Sequence, residues 1–184
     1  MIDNKAPYFN AKAFHENKFV SLDMLDYRGK WLVLFFYPRD FNFTCLTELK
    51  DLIINYENLK EMGAEVLIIS TDTEFTHKAW HESSELLKSI KFPMIADSSG
   101  TISMAYGTYV KEKGISFKAT FIIDPEGIIR EYEMSNELLG RNVKEIIRKI
   151  NALKFSRNRK QEFCPVEIMP EEKINIKLIK SRGK

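Results

Sequence analysis

Two largely apolar runs, Trp31–Tyr37 and Ala64–Ser70, bracket a stretch of helical periodicity, and no other feature constrains the fold as much. Neither run alternates, so neither suits a sheet with one wet face; each predicts a strand covered on both sides. Between them, Leu46, Leu49, Leu52, Ile53, Tyr56 and Leu59 recur at the spacing of one helix face. That helix is expected from Thr44 or Cys45 to Met62, stopping at Gly63, which suits the position just past a helix end. Strand, helix and strand in this order predict a parallel unit in a helix-flanked sheet.

The remaining segments extend this pattern. Residues 1–18 are mixed and predict an irregular lead-in with a short edge strand, and Phe19–Leu25 reads as a strand ending at the turn Asp26–Lys30. After Ala64–Ser70, a helical segment holds His77, Ala79, Trp80 and His81, and a second spans Ser84–Ile90. Phe92–Ala96 is a short strand, Asp97–Gly100 a turn, Thr101–Tyr106 a brief helix and Gly107–Gly114 a polar loop. Phe117–Ile123 and Ile128–Glu133 read as strands joined by Asp124-Pro-Glu-Gly127, whose Pro and Gly suit a type I turn. Asn142 and Glu145 resemble a capping box ahead of the stripe Val143, Ile146, Ile147, Ile150 and Leu153. The element order fits an α/β, thioredoxin-like fold: a mixed central sheet, helices on both faces, an N-terminal extension and a C-terminal tail. Residues 1–155 are assigned to the core and 156–184 to a C-terminal arm. Within that arm, Ile174–Ile179 is apolar but has no evident place in the core.

Charge excludes several function classes. The 28 basic and 26 acidic side chains leave a net charge of +2, too small to argue for nucleic acid. The basic excess sits in the C-terminal part, where a solvated tail explains it. No run approaches a membrane span, and residues 1–20 lack the continuous apolar core of a signal peptide. Neither a nucleic-acid nor a membrane partner is expected, and the expected location is cytoplasmic.

Cys45 stands where the first strand, a proline turn and the helix meet. The mouth of a helix offers unpaired N–H groups and the positive end of the dipole, both of which favour a reactive thiolate. An inert, buried small hydrophobe is the other reading of such a cysteine. Cys164 is the only other cysteine, and on its own it reads equally as an idle thiol. The residue three beyond Cys45 is Glu48, so the C-x-x-C pair of a simple dithiol exchanger is absent. His77 and His81 lie four apart beside Glu82 but lack the H-E-x-x-H pattern, so no metal is expected.

The segment Tyr37-Pro-Arg-Asp-Phe-Asn-Phe-Thr-Cys-Leu-Thr-Glu48 resembles the active-site stretch of the typical two-cysteine peroxiredoxins of the alkyl hydroperoxide reductase C type, Y-P-x-D-F-T-F-V-C-P-T-E. Pro38, Asp40, Phe41, Phe43, Cys45, Thr47 and Glu48 match it. Asn42 stands at the family's active-site threonine and Leu46 at a proline. Ser116–Asp124 resembles the strand that places an arginine beside the reactive sulfur, and here that residue is Lys118. Arg141 matches a second family arginine, Thr71–His81 a further segment, and Cys164-Pro165 the V-C-P of the resolving cysteine. Alone, Pro38 and Asn42 would be turn residues, Lys118 a solvent-facing strand lysine, Glu48 a first-turn acid and Arg141 a loop arginine.

The resemblance implies a thiol peroxidase for hydrogen peroxide and alkyl hydroperoxides. Cys45 attacks the peroxide, Asn42 touches it, Lys118 and Arg141 support the thiolate, Glu48 orients the cations and Pro38 lines the pocket. Cys164 of a partner subunit then forms an intersubunit disulfide, which a thioredoxin-like protein or a flavoprotein disulfide reductase reduces. A homodimer, with a decamer as a further stage, is implied, and Phe75 and Trp80 are placed at or near a subunit contact. Neither a G-G-L-G between Asp97 and Gly107 nor a Tyr-Phe-bearing helix after Cys164 is found, which implies resistance to overoxidation. The rival reading is a peroxiredoxin-fold protein slowed by Asn42 and Lys118 and serving as a thiol redox sensor, holdase or structural assembly.

Overall fold

The computed structural model describes residues 1–158. Cys164, Pro165, Ile174–Ile179 and the basic tail, to which several expectations attach, lie outside the described residues. Two units divide the chain: Met1–Ile147, and a second beginning at Arg148. The account below concerns the first.

Strand β3, Trp31–Phe36, is buried at every position and lies inside the sheet. It leads through helix α1, Phe43–Glu61, to its parallel neighbour β4, Ala64–Ser70. The expected limits of these elements hold to within a residue or two. Gly63 takes φ +71 just past the helix and donates its N–H to the Lys60 carbonyl, so α1 ends through a left-handed residue that costs glycine nothing. Helices α2, Glu74–Glu82, and α3, Glu85–Lys88, then lead to β5, Met94–Ala96, parallel to β4. Helix α4, Thr101–Ala105, precedes the later strands.

On the other side of β3 lies the antiparallel hairpin β8, Lys118–Ile123, and β9, Ile129–Ser135. The Gly127 N–H closes onto the Asp124 carbonyl as a type I turn requires. At the N-terminal end, β1, Asn10–His15, and β2, Lys18–Asp23, complete a seven-stranded sheet of order β2-β1-β5-β4-β3-β8-β9. This is the thioredoxin-like arrangement with its N-terminal extension built into the sheet.

Two details correct the sequence reading. The lead-in contributes β1, which lies inside the sheet between β2 and β5. Its hairpin turn holds Glu16 and Asn17 at φ +49 and +59, the two left-handed residues of a type I′ turn. Glu-Asn is not the usual Asn-Gly signal for such a turn. The stretch Gly107–Gly114 is not all loop: Tyr109–Val110 (β6) pairs with Ile115–Ser116 (β7) in a small ribbon.

Alternation along β3 explains why both faces must be covered. Leu32, Leu34 and Phe36 join Leu67, Ile69, Phe121, Ile102 and Tyr106 in one apolar cluster. Val33 and Phe35 point to the opposite face, as a period of two demands. Helix α1 contributes buried Leu49, Leu52, Tyr56 and Leu59 to the core. Antiparallel pairing sets Phe36 opposite Ala119, so β8 begins with Lys118 beside the carboxyl end of β3. There the chain turns into α1, and the candidate site lies at this end of the sheet.

Leu34, in the middle of β3, is wholly buried. Leu34→Ala is expected to cost about 3 kcal/mol of stability, measured by equilibrium urea unfolding.

Candidate active site

Cys45 is the third residue of α1 and is 1% exposed. The turn ahead of it is held at many points. Phe41 adopts φ +55, a strained conformation for a bulky residue. Asn42, next in line, is the helix N-cap: its side-chain oxygen accepts from the Cys45 N–H at 3.2 Å and from the Thr44 hydroxyl at 2.7 Å. Pro38 is buried, and its carbonyl accepts from the Thr71 hydroxyl at 3.4 Å.

Glu48, one turn beyond Cys45, anchors the charged part of the site. Its Oε1 accepts from the Arg141 main-chain N–H at 2.8 Å and from Arg141 Nε at 3.1 Å, while Oε2 accepts from Nη2 at 3.1 Å. Lys118 Nζ lies 3.4 Å from Oε1 and donates to the Leu139 carbonyl at 3.2 Å. Arg141 also donates to the Ala119 carbonyl and the Thr120 hydroxyl, and its guanidinium lies 3.4 Å from the centre of the Phe35 ring. Lys118 is fully buried, not the solvent-facing lysine its strand pattern alone suggests.

These charges compete at the sulfur. Burial pushes the Cys45 thiol up, Lys118 pulls it down, Glu48 pushes it up, and the Arg39 main-chain N–H and Arg141 pull it down; the balance lies at about 11. The expected thiolate-favouring environment is therefore only half realised. Two cations and a main-chain donor favour the anion, but loss of water outweighs them in this closed arrangement. The helix mouth also gives less than expected, because the Cys45 N–H is already taken by Asn42.

The structure thus gathers Pro38, Asn42, Cys45, Glu48, Lys118 and Arg141 at one end of the sheet. Asn42 differs from its expected role, since its carbonyl oxygen serves the cap and only its amide N–H donors remain to meet a substrate. Trp80 is buried against Tyr37 and Phe41, whereas Phe75 is 64% exposed and packs on Phe19. His77 and His81 do not act together: His77 engages Asp40 and the Ile95 carbonyl through its two ring nitrogens, while His81 packs against Phe14. No group of metal-holding side chains occurs among the described residues. The sequence reading missed the Arg39 main-chain donor and the Asp40–His77 contact. No linear pattern pairs residues so far apart, although Asp40 and His77 both lie within the segments that resemble the family.

Residues 2–132 match the AhpC/TSA family. The chain belongs to that family. It is similar to alkyl hydroperoxide reductase C of Escherichia coli (strain K12), with 40% identity over 167 residues, 91% of this chain and 89% of that protein. It also resembles alkyl hydroperoxide reductase C of Bacillus subtilis (strain 168), with 43% identity over 159 residues, 86% of this chain and 85% of that one. Among solved structures, Enterococcus faecalis AhpC superposes with a TM-score of 0.86 at 38% identity, covering 89% of this chain and 98% of the other. The reduced 2-Cys peroxiredoxin of Plasmodium vivax gives a TM-score of 0.85 at 30% identity, covering 91% and 89%. As a peroxiredoxin of this family, the chain is a thiol peroxidase, an antioxidant oxidoreductase.

Two outcomes follow from the buried charges of this peroxiredoxin. Glu48→Ala strands two buried cations and should cost roughly 3–5 kcal/mol, seen as a lower urea midpoint. The folded chain keeps the Cys45 proton between the ordinary value of 9.0 and about 11, where an unfolded chain has lost it. That contribution to stability is complete below the window and disappears as pH rises through it. Unfolding of wild type and Cys45→Ser at stepped pH should show the wild type losing more stability across the window.

Proposed function

We propose that this peroxiredoxin reduces hydrogen peroxide and alkyl hydroperoxides through Cys45, with Cys164 of a second subunit as the resolving thiol. The observation that carries this reading is the placement of Cys45 at the start of α1, with the Arg39 N–H, Lys118 and Arg141 all favouring its anion. The thiolate sulfur attacks one peroxide oxygen and the O–O bond breaks. The departing oxygen takes a proton and leaves as alcohol or water, and Cys45 becomes a sulfenic acid. The Cys164 thiol then attacks that sulfur, expelling water and forming a disulfide. A thioredoxin-like protein or a flavoprotein disulfide reductase returns both thiols by exchange. No bound cofactor enters this scheme.

Lys118 supplies charge without the planar fork of an arginine. It already donates to the Leu139 carbonyl and is held beside Glu48 as an ion pair, so alignment with a peroxide oxygen is poorer than a guanidinium would allow. One observation favours a slower enzyme with a sensing or assembly role: burial holds the thiol at about 11 while Asn42 is committed to the cap.

Stopped-flow mixing of reduced protein with limiting hydrogen peroxide separates these readings. Fast consumption that is lost in Cys45→Ser, with an intersubunit disulfide lost in Cys164→Ser, is the expected result. A rate no better than that of a free low-pKa thiol would favour the sensor or assembly role. Lys118→Arg should raise the peroxide rate, by as much as about a hundredfold, and no gain would show that the lysine is not limiting.

A further inference from the structure

An arginine holds its protons permanently, whereas a lysine can give one up, and this chain sets a lysine beside its sulfur. The Lys118 side chain is 0% exposed. Its nitrogen donates to the Leu139 carbonyl at 3.2 Å and lies 3.4 Å from Glu48 Oε1. An ammonium has three hydrogens, so at least one is left for a further acceptor. The Arg39 N–H meets the sulfur by a hydrogen bond, while Lys118 acts on it through charge. That division suits two different oxygens. The leaving oxygen of an attacked peroxide stands one atom beyond the oxygen that bonds to sulfur, so its proton donor need not touch the sulfur.

Glu48 does not depend on Lys118. Arg141 alone satisfies it, through the main-chain N–H at 2.8 Å and through Nε and Nη2, each at 3.1 Å. With Cys45 as thiolate, the anions Cys45 and Glu48 balance the cations Lys118 and Arg141. Sulfenic acid formation removes the charge on sulfur and moves it to the departing oxygen. A bare alkoxide or hydroxide in a buried site is costly. A proton from Lys118 neutralises that oxygen and the lysine together, leaving the Glu48–Arg141 pair intact and the site neutral.

The other groups described at the site do not supply this proton. The Arg39 N–H and the Asn42 side chain are amides, the Arg141 guanidinium does not ionise in proteins, and the Glu48 carboxylate only accepts. The Thr44 hydroxyl is held by Asn42 Oδ1 at 2.7 Å and is no stronger an acid than the alcohol being formed. The sulfur is 1% exposed, which keeps bulk water from the leaving oxygen.

We propose that Lys118 is the general acid of peroxide reduction and fits the site to peroxides whose leaving oxygen is strongly basic. The inference rests on the reading of Cys45 as the peroxide-reactive thiol. A sulfur electron pair forms the new S–O bond, and the O–O pair passes to the leaving oxygen, which takes a proton from Lys118 Nζ. Sulfur is oxidised to the sulfenic acid, the peroxide is reduced to alcohol or water, and Lys118 becomes a neutral amine. It is recharged from water when the first turn of α1 opens, replacing the proton that the Cys45 thiol released on ionising. Hydrogen peroxide and alkyl hydroperoxides, which would expel hydroxide or alkoxide, gain from such an acid. A peroxyacid expels a stable carboxylate and gains nothing.

Lys118→Arg keeps the charge and removes the acid. Better alignment by a guanidinium helps every peroxide, whereas loss of the proton hurts only those with a basic leaving oxygen, so the ratio of rates separates the two effects. Reduced full-length wild type and Lys118→Arg would be mixed in stopped flow with tert-butyl hydroperoxide and with peroxybenzoic acid. The rate ratio of hydroperoxide to peroxyacid should fall about tenfold in the variant, less than the full worth of a general acid because the guanidinium still faces the developing charge. A second readout needs only the wild type: heavy water should slow the tert-butyl hydroperoxide reaction more than the peroxybenzoic acid reaction. Ionisation of the thiol is common to both substrates and cancels. An unchanged ratio in a folded variant, or equal heavy-water effects on the two substrates, would overturn the proposal. Reduction of tert-butyl hydroperoxide that persists in Cys45→Ser would instead overturn the reading of Cys45.

Discussion

The Glu48 carboxylate accepts a guanidinium and a main-chain N–H from Arg141 and lies beside the Lys118 ammonium, and all three side chains are almost wholly out of water. Desolvating such ions costs several kcal/mol each, so the cluster is a poor source of net stability. What it provides is placement. Arg141 joins α1 through Glu48, β8 through Ala119 and Thr120, and β3 through the Phe35 ring. An apolar substitute of equal volume could fill this space but would fix none of these angles. It would also remove the formal excess of one positive charge, two cations against one carboxylate, that faces the Cys45 sulfur. The ions are retained where a field is needed.

Much of this was legible in the chain, because its strongest signals are local. Trp31–Phe36 has no polar interruption and Val66–Ile69 none either, so both read as covered strands, and Gly63 marks a helix end by its missing side chain. The Asp124–Gly127 turn was similarly explicit. The register of β8 was not local. Nothing within residues 116–124 says that Lys118 faces the α1 side of the sheet; that follows from Phe36 pairing with Ala119. The state of Cys45 was harder still. A cysteine at a helix mouth argues for an anion, but the opposing burial comes from elements scattered along the whole chain. Asn42 shows the same limit, since one residue can cap a helix or touch a substrate, and geometry decides which.

The cap formed by Asn42 has a temporal consequence. A sulfur that is 1% exposed cannot be reached by a second thiol until the first turn of α1 opens. Opening must break the Asn42 bonds to Thr44 and Cys45 and the reach of the Thr44 hydroxyl to the Glu137 carbonyl. Under the cycle proposed above, an oxidised sulfur would stay hidden from a second thiol for as long as the turn is closed. The strength of three hydrogen bonds at a helix end therefore acts as a clock. On that cycle it sets how long an oxidised molecule waits before a second thiol reaches it.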